Sequence, residues 1–352
     1  MENNNDNEEL IQNPGNEENL ISEDNGCTKN KIMIFSFVIA IFALSIIGII
    51  YALSISREPK NEKEKENMDN DSPYELDTIP SEEMENARRS FKQYQYINNS
   101  KTIDYNFYTP KNITENESYP LIVFISDKSL VGQEVIALLN KTVGGPIWAT
   151  DTVQKKHKCY VLVPQYNETI STMEPKSEYV NITIALIQDI QEKYQIDKNR
   201  IYGTGQSMGA MVLLYLLSNH QDLYAAGLIV DGHWNISELH GLINATFTYF
   251  AAEGDPNPFN GQNELKAFFD ENNVTYSNMS NVNAQEKVDI LNQEAEKMYK
   301  KGNKRNFITY ANGTVLTPGC GNIGEHMASF KYGYRIESVR DWLFDQSKDL
   351  NE

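Results

Sequence analysis

Ser207 lies in a glycine-rich stretch whose pattern is typical of a nucleophilic serine. The stretch RIYGTGQSMGAMVL, residues 200–213, indicates a strand end, a tight turn and an apolar helix that begins at Met208. In a nucleophile elbow the residues two positions either side of the serine must be small, because strand and helix pass close together there. Gly205 and Gly209 meet that need. The alternative is a glycine-rich turn with a buried serine.

His326 is the candidate base, because a serine hydroxyl is a weak nucleophile unless a base accepts its proton. It stands in TPGCGNIGEHMASF, between the last predicted strand and the last predicted helix, where a hydrolase-type sheet delivers its histidine. Its alternative role is a loop histidine bonded to backbone. The other four histidines have ordinary structural explanations. His157 precedes a strand and His220 lies at a helix end. His233 follows a strand, and His240 lies in the next helix or loop.

Asp255 is the candidate acid that orients the base. It follows the predicted strand of TYFAAEGDPNPFNG, and Gly254 and Pro256 on either side favour a short, fixed turn. Glu253 is adjacent, but strand alternation directs neighbouring side chains to opposite faces. Asp231, after the preceding strand, is the reserve candidate. The order serine, acid, histidine is the chain order expected of this kind of sheet.

The elements that must position these residues alternate between strands and helices. This alternation predicts an α/β fold with a doubly wound, mostly parallel sheet in one domain over residues 91–346. Catalytic groups then gather beyond the carboxyl ends of the strands. The predicted strands lie in YNFYTP, YPLIVFIS, KCYVLVPQ, NRIYGTG, YAAGLIVDG, TFTYFAAEGD and KRNFITYANG. The predicted helices lie in YVNITIALIQDIQEKY, SMGAMVLLYLLSNH, NELKAFFDENN and SFKYGYRIESVRDWLFDQ.

An insertion at about residues 273–305 separates the last two predicted strands. Its apolar residues recur at helical spacing and are Ala284, Val288, Leu291, Ala295 and Met298. Such a helix either covers the sheet or forms a rim over a substrate cleft.

The charge balance excludes one class of partner. The 352 residues carry a formal net charge of −18, and no basic stripe is present, so nucleic-acid binding is not expected. The cysteines and histidines show no zinc-type spacing, and the reaction expected of a serine nucleophile needs neither metal nor cofactor.

The N-terminal quarter indicates membrane attachment. An acidic, Asn-rich tail over residues 1–31 precedes residues 32–55, which contain no charged side chain and are long enough to span a bilayer. The long apolar core and the acidic flank favour an uncleaved signal anchor. Residues 56–90 are charged and broken by prolines, which predicts a stalk. Residues 347–352 form a C-terminal tail.

The orientation of this anchor rests on two opposing signals. The count of Lys and Arg around the span alone would leave the C-terminal part in the cytoplasm. Eleven Asn-x-Ser/Thr sequons follow the span, whereas about four are expected by chance from the composition. The excess favours a type II protein with a glycosylated, lumenal or extracellular domain; an Asn-rich genome is the alternative. The sequons begin at Asn70, Asn98, Asn112, Asn116, Asn167, Asn181, Asn235, Asn244, Asn273, Asn278 and Asn312.

Cysteine usage leaves the redox state open. Cys27 precedes the span, and Cys159 and Cys320 follow it. The latter two are compatible with one disulfide or with two free thiols.

The motifs together resemble the predicted-peptidase and esterase branch of the α/β-hydrolase superfamily, which is related to prolyl oligopeptidase-like and poly(hydroxybutyrate) depolymerase-like enzymes. The resemblance implies a serine hydrolase that acts on esters, with nucleophile Ser207, acid Asp255 and base His326. It spans most of residues 101–346 and is carried by IWATDTVQKKHKCYVLVPQY, IDKNRIYGTGQSMGA, YAAGLIVDG, FAAEGDP and HMASFKYGYRIESVRDWLFDQ.

One segment departs from that family pattern. After the strand PLIVFI, relatives carry His-Gly and small residues whose backbone N–H helps to form the oxyanion hole, whereas this chain has SDKSLVG. Met208 N–H is expected to be one donor. Asp127 would supply the second through its backbone N–H, provided that its carboxylate points away from the developing oxyanion.

The sequence therefore predicts a membrane-anchored carboxylic ester hydrolase. A serine peptidase of the same fold is the alternative within this class. A catalytically inactive binding module is the alternative outside it, because of the SDKSLVG segment. Neither the acyl and alcohol parts of the substrate nor the oligomeric state follow from the sequence.

Overall fold

The described part of the chain holds all the elements that the predicted site needs. The structure is a computed structural model that describes residues 76–98, 101–170, 178–317 and 324–350. The tail 1–31, the predicted membrane segment 32–55 and most of the predicted stalk lie outside the described residues. None of the helices within those described ranges is both long enough and apolar enough to span a membrane.

A nine-stranded sheet forms the centre of this part of the chain. Its strands are β1 Lys92–Asn98, β2 Lys101–Tyr108, β3 Tyr119–Ile125, β4 Tyr160–Pro164, β5 Ile196–Gln206, β6 Ala226–Val230, β7 Phe247–Ala252, β8 Ser277–Val282 and β9 Arg305–Tyr310. They lie in the order β1-β2-β4-β3-β5-β6-β7-β9-β8. β2 runs antiparallel to both β1 and β4, and all the other pairs are parallel. The expected mostly parallel sheet is thus confirmed.

Helices follow most of the strands, as crossover connections in a parallel sheet require. The α-helices of the described residues are α1 Ser81–Arg89, α2 Ala137–Asn140, α3 Asp151–Lys156, α4 Glu178–Lys193, α5 Met208–Asn219, α6 Pro256–Glu271, α7 Val288–Tyr299, α8 Gly324–Ser329 and α9 Glu337–Phe344.

The apolar core lies on both faces of the sheet, as strand β3 shows. All seven of its residues are buried, which explains why it is continuously apolar rather than alternating. Ile122 and Phe124 belong to one apolar cluster, and Leu121, Val123 and Ile125 belong to the other. The sheet is therefore covered on both sides.

Two edge strands were not expected from the sequence. β1 exposes most of its side chains, and β8 has the polar sequence SNMSNV, so neither shows an apolar pattern. The helical spacing of the insertion corresponds to α7, which buries Leu291, Ala295 and Met298. α7 packs against β8 and α9, as expected of a helix that covers the sheet.

The folded domain begins earlier and ends later than residues 91–346. Leu76, Ile79 and Met84 are buried in the core, within the range 56–90 where the sequence predicts a stalk. Met84 lies on the short, amphipathic α1, and Leu76 and Ile79 precede it among polar residues and prolines, so no apolar run marks these positions. At the other end, Lys348 Nζ donates to the Asp222 carbonyl, so residues 348–350 also contact the domain.

Cys159 is a free, fully buried thiol, and burial raises its pKa to about 12. Cys320, its possible disulfide partner, lies outside the described residues.

Candidate active site

Ser207 occupies a sharp turn between β5 and α5. Its backbone has φ 52° and ψ −117°, a left-handed conformation that costs a non-glycine residue energy. The turn is held from both sides, because Ser207 N–H donates to the Val230 carbonyl at 2.9 Å and Met211 N–H donates to the Ser207 carbonyl at 2.9 Å. This is the predicted strand, elbow and helix.

The two glycines of the elbow are required by close approaches of backbone. A Cβ on Gly205 would lie 2.5 Å from the carbonyl carbon of Gly209. A Cβ on Gly209 would collide with the carbonyl oxygen of Ile125 at the end of β3. Neither neighbour can move without moving a strand or a helix, so both positions exclude a side chain.

The structure brings Ser207, His326 and Asp255 together. Ser207 Oγ lies 2.8 Å from His326 Nε2. His326 Nδ1 forms a short hydrogen bond with Asp255 Oδ2. With Nδ1–H donating to the carboxylate, Nε2 is left to accept the serine proton. The three groups thus form a continuous line of hydrogen bonds, although they lie on three separate segments.

Burial and nearby carboxylates act in opposite directions on His326. Desolvation alone would lower the imidazole pKa, but the hydrogen bond and the charge of Asp255 more than offset it. Asp231 and Asp127 add smaller effects in the same direction. The net result is a pKa above the ordinary histidine value, which suits a base that must accept a proton.

Asp255 lies on a tight turn between β7 and α6. Its N–H donates to the Ala252 carbonyl at 3.0 Å, and α6 begins at the next residue, Pro256. Asp255 is 9% exposed, whereas the neighbouring Glu253 is exposed and its carboxylate accepts from Asn312 N–H. The two acids thus face different surroundings because of the turn after β7, since two residues this far apart in a continuing strand would share a face.

Asp231, the reserve candidate, occupies a different place. Its Oδ1 accepts from Ala252 N–H at 2.9 Å, and its side chain is almost fully buried. Desolvation raises the pKa of this carboxyl to about 7. Asp231 therefore supports the strand end that precedes the Asp255 turn instead of contacting the His326 ring.

The other histidines have partners away from the Ser207 turn. His157 stacks on Phe344 and bonds Asp341, and His233 lies between Asn257 and Glu264. His220 packs edge-on against Tyr215, and His240 stacks on Phe268.

A search of the known protein families matches residues 165–305 with the prolyl oligopeptidase family. The matched region begins just after β4 and ends at the first residue of β9, so it contains the serine elbow and the acid turn. A comparison with curated proteins finds no match to the chain.

Among solved structures, a thermostable esterase matches with a TM-score of 0.58 and 23% identity. The match covers 74% of this chain and 64% of the esterase, so the chain spans less than two thirds of that protein's length. The chain has an α/β-hydrolase fold. The match with the prolyl oligopeptidase family confirms the expected resemblance to the peptidase and esterase branch.

Two peptidase structures match more weakly, and their TM-scores are too low to carry an argument. A putative dipeptidyl aminopeptidase IV from Bacteroides ovatus has a TM-score of 0.45 at 11% identity, covering 73% of this chain and 36% of its own. An acylaminoacyl peptidase from Pyrococcus horikoshii has a TM-score of 0.41 at 12% identity, and the match covers 72% of this chain and 41% of the peptidase.

The segment that departs from the hydrolase pattern has a defined conformation. The Asp127 side chain is buried and accepts from Ser129 N–H at 2.9 Å and from Ser129 Oγ. Its other oxygen accepts from Gln206 Nε2 at 2.8 Å. The carboxylate is therefore occupied by three donors, and one of them belongs to the residue just before Ser207.

Sequence reasoning missed two side chains of this site. Gln206 joins the elbow to Asp127, and Glu325 accepts from Gly254 N–H at 3.1 Å, beside the acid turn. Their positions next to Ser207 and His326 in the sequence are the one signal that could have pointed to them.

We expect Asp231→Asn to flatten the dependence of stability on pH. The raised pKa means that the native wild type keeps a proton that the unfolded chain has lost between about pH 4 and about pH 7, so the free energy of unfolding falls as pH rises through that window. Asn retains an oxygen for Ala252 N–H but carries no charge. At about pH 8 the variant should be more stable by roughly 1–4 kcal/mol.

Urea unfolding of the full chain at several pH values measures this difference. A variant whose stability falls with pH as steeply as that of the wild type would contradict the assignment of a buried, proton-holding carboxyl to Asp231.

Proposed function

We propose that this protein is a carboxylic ester hydrolase that uses Ser207 as nucleophile, His326 as base and Asp255 as orienting acid. The observation that carries the proposal is the continuous line of hydrogen bonds from Ser207 Oγ through the imidazole to Asp255, on a strained strand-to-helix turn. A strained backbone persists only where its surroundings hold it, and here the tight backbone packing at Gly205 and Gly209 does so.

The proposed reaction is a two-step acyl transfer. His326 Nε2 accepts the Ser207 proton while Oγ attacks the ester carbonyl carbon, and the resulting imidazolium is stabilised by Asp255. The tetrahedral intermediate then expels the alcohol, which takes the proton from His326. Water, deprotonated by the same imidazole, attacks the acyl-enzyme and releases the carboxylic acid.

The oxyanion is proposed to accept from two backbone N–H groups, those of Met208 and Asp127. Met208 is the first residue of α5, where the helix leaves its N–H groups without intrahelical partners and its dipole favours negative charge. The three donors on the Asp127 carboxylate fix that side chain, which leaves its backbone N–H as the group offered to the substrate. Loss of one such donor costs about 100- to 1,000-fold in rate.

A peptidase is the second candidate function, and the match with the prolyl oligopeptidase family is the observation that favours it. Amide cleavage demands more of the acid step, because the leaving amine must be protonated. The third possibility, an inactive binding module, is opposed by the assembled hydrogen-bond line.

Hydrolysis of p-nitrophenyl acetate and of a peptide p-nitroanilide by the full chain in detergent separates these functions. We expect faster turnover of the ester, with a rate that falls as pH drops through the raised pKa of His326, because only the neutral imidazole accepts a proton. Ser207→Ala should lower ester turnover about 10⁴-fold or more, as loss of a nucleophile does in other triads.

Ser90→Ala, an exposed serine that follows α1 and belongs to no sequon, is the matched control and should keep wild-type turnover. Faster amide than ester cleavage would favour the peptidase, and a folded wild type inert on both substrates would overturn the enzyme proposal.

We further propose that residues 32–55 anchor the protein in a membrane as a type II protein whose domain faces the lumen or the exterior. The length and apolarity of that segment support the anchor. The exposure of the sequon asparagines supports the orientation, since nine of the ten that the structure describes are exposed and Asn98 is partly buried.

Expression of the full chain in a glycosylating cell tests this topology. We expect a peptide-N-glycosidase to reduce the apparent mass and alkaline carbonate to leave the protein in the membrane pellet. A chain lacking residues 32–55 is the control and should lose both properties. An unglycosylated, carbonate-soluble full chain would contradict the proposal.

A further inference from the structure

Glu325 bridges three segments of the active site. It stands on α8, next to His326, and its carboxylate is partly buried. Its Oε2 accepts from Gly254 N–H on the acid turn at 3.1 Å, and its Oε1 accepts from Gly313 N–H in the loop after β9 at 2.7 Å. Both bonds are charge-assisted, and such bonds are stronger than neutral ones.

The bond to Gly254 lies beside the bond between base and acid. Glu325 pairs with Gly254, and the next residue on each segment, His326 and Asp255, forms the other pair. Two consecutive residues of α8 therefore engage two consecutive residues of the turn. With two adjacent bonds, the segments have a fixed register, whereas a single bond would allow them to rotate about it.

The absence of a side chain at Gly254 leaves room for the Glu325 carboxylate. A Cβ there would collide with the Glu325 carboxylate, although the Gly254 backbone does not have a positive φ. A side chain at position 254 would therefore displace the Glu325 carboxylate, while the conformation of the turn itself does not call for glycine.

The helix that carries His326 depends on such contacts. α8 has six residues, too few for a helix to be stable by itself. Near the imidazole, Phe330 just after α8 packs edge-on against the ring, and Ser329 Oγ donates to the His326 carbonyl. Neither of these two contacts reaches the Asp255 turn.

We infer that Glu325 is a positioning residue that holds the Asp255 turn in register with the His326 ring. This inference rests on the proposed function, since it concerns the same hydrogen-bond line. Glu325 accepts from the backbone N–H groups of Gly254 and Gly313, and it acts by keeping the carboxylate of Asp255 on Nδ1 of the imidazole.

Four carboxylates surround His326, and their charges determine how the loss of Glu325 changes the pKa of the imidazole. They are Asp255 after β7, Asp231 after β6, Asp127 after β3 and Glu325 on α8 itself. Asp255 makes the largest upward contribution to the pKa, against the downward effect of burial. A loosened Asp255 contact therefore lowers the pKa of His326.

The test compares the pH dependence of kcat/KM for p-nitrophenyl acetate in the full chain with that of Glu325→Ala. We expect kcat to fall about 10- to 100-fold and the acidic midpoint to move to lower pH, with KM little changed. Gly254→Ala breaks the same contact from the other side and should shift the midpoint in the same direction. Glu325→Gln, which keeps one acceptor oxygen, should restore part of both effects.

Glu253→Ala is the matched control, because it removes an adjacent glutamate whose bond goes to Asn312 N–H and not to α8. Its midpoint should equal that of the wild type. Thermal melting of every variant identifies simple loss of folding. The positioning role of Glu325 is overturned if Glu325→Ala and Gly254→Ala are folded and keep the wild-type midpoint and kcat. If the wild type itself has no activity, the proposed function fails instead.

Discussion

The close approach of helix α5 to the end of strand β3 is the constraint on which the site depends. At Gly209 the helix backbone leaves no room for a Cβ against the Ile125 carbonyl, and Gly205 meets Gly209 in the same way. Between these two glycines Ser207 has a left-handed conformation at the tip of the turn. The strain is held by core elements, because β3 and β5 are buried neighbours in the sheet. A flexible loop could not sustain it.

The other catalytic groups reach Ser207 because the parallel strands end at one edge of the sheet. Asp127, Asp231 and Asp255 follow three different strands and all influence His326. The site therefore concentrates carboxylates around one imidazole, and hydrogen bonds determine their separate tasks. Asp255 bonds the ring, Asp231 supports the end of β7, and Asp127 is occupied by Ser129 and Gln206. Only Asp255 therefore forms a hydrogen bond with the imidazole Nδ1, while the other two carboxylates bond different groups.

The sequence predicts the site better than it predicts the edges of the fold. Ser207 and Asp255 could be found because glycine spacing and strand ends are local patterns. β1 and α1 could not be delimited, since the first is mostly exposed and the second hides a few apolar residues among charges. Glu325 could not be recognised because its partners are backbone N–H groups 71 and 12 residues away, which have no residue-type signature.

Covalent labelling shows whether the Ser207 hydroxyl is an activated nucleophile. A fluorophosphonate reacts with an activated serine without any choice of substrate, and peptide mapping by mass spectrometry then locates the adduct. We expect one adduct per chain on the peptide that contains Ser207, and none in a folded His326→Ala variant. A folded wild type that stays unmodified, or an adduct on another residue, would contradict it.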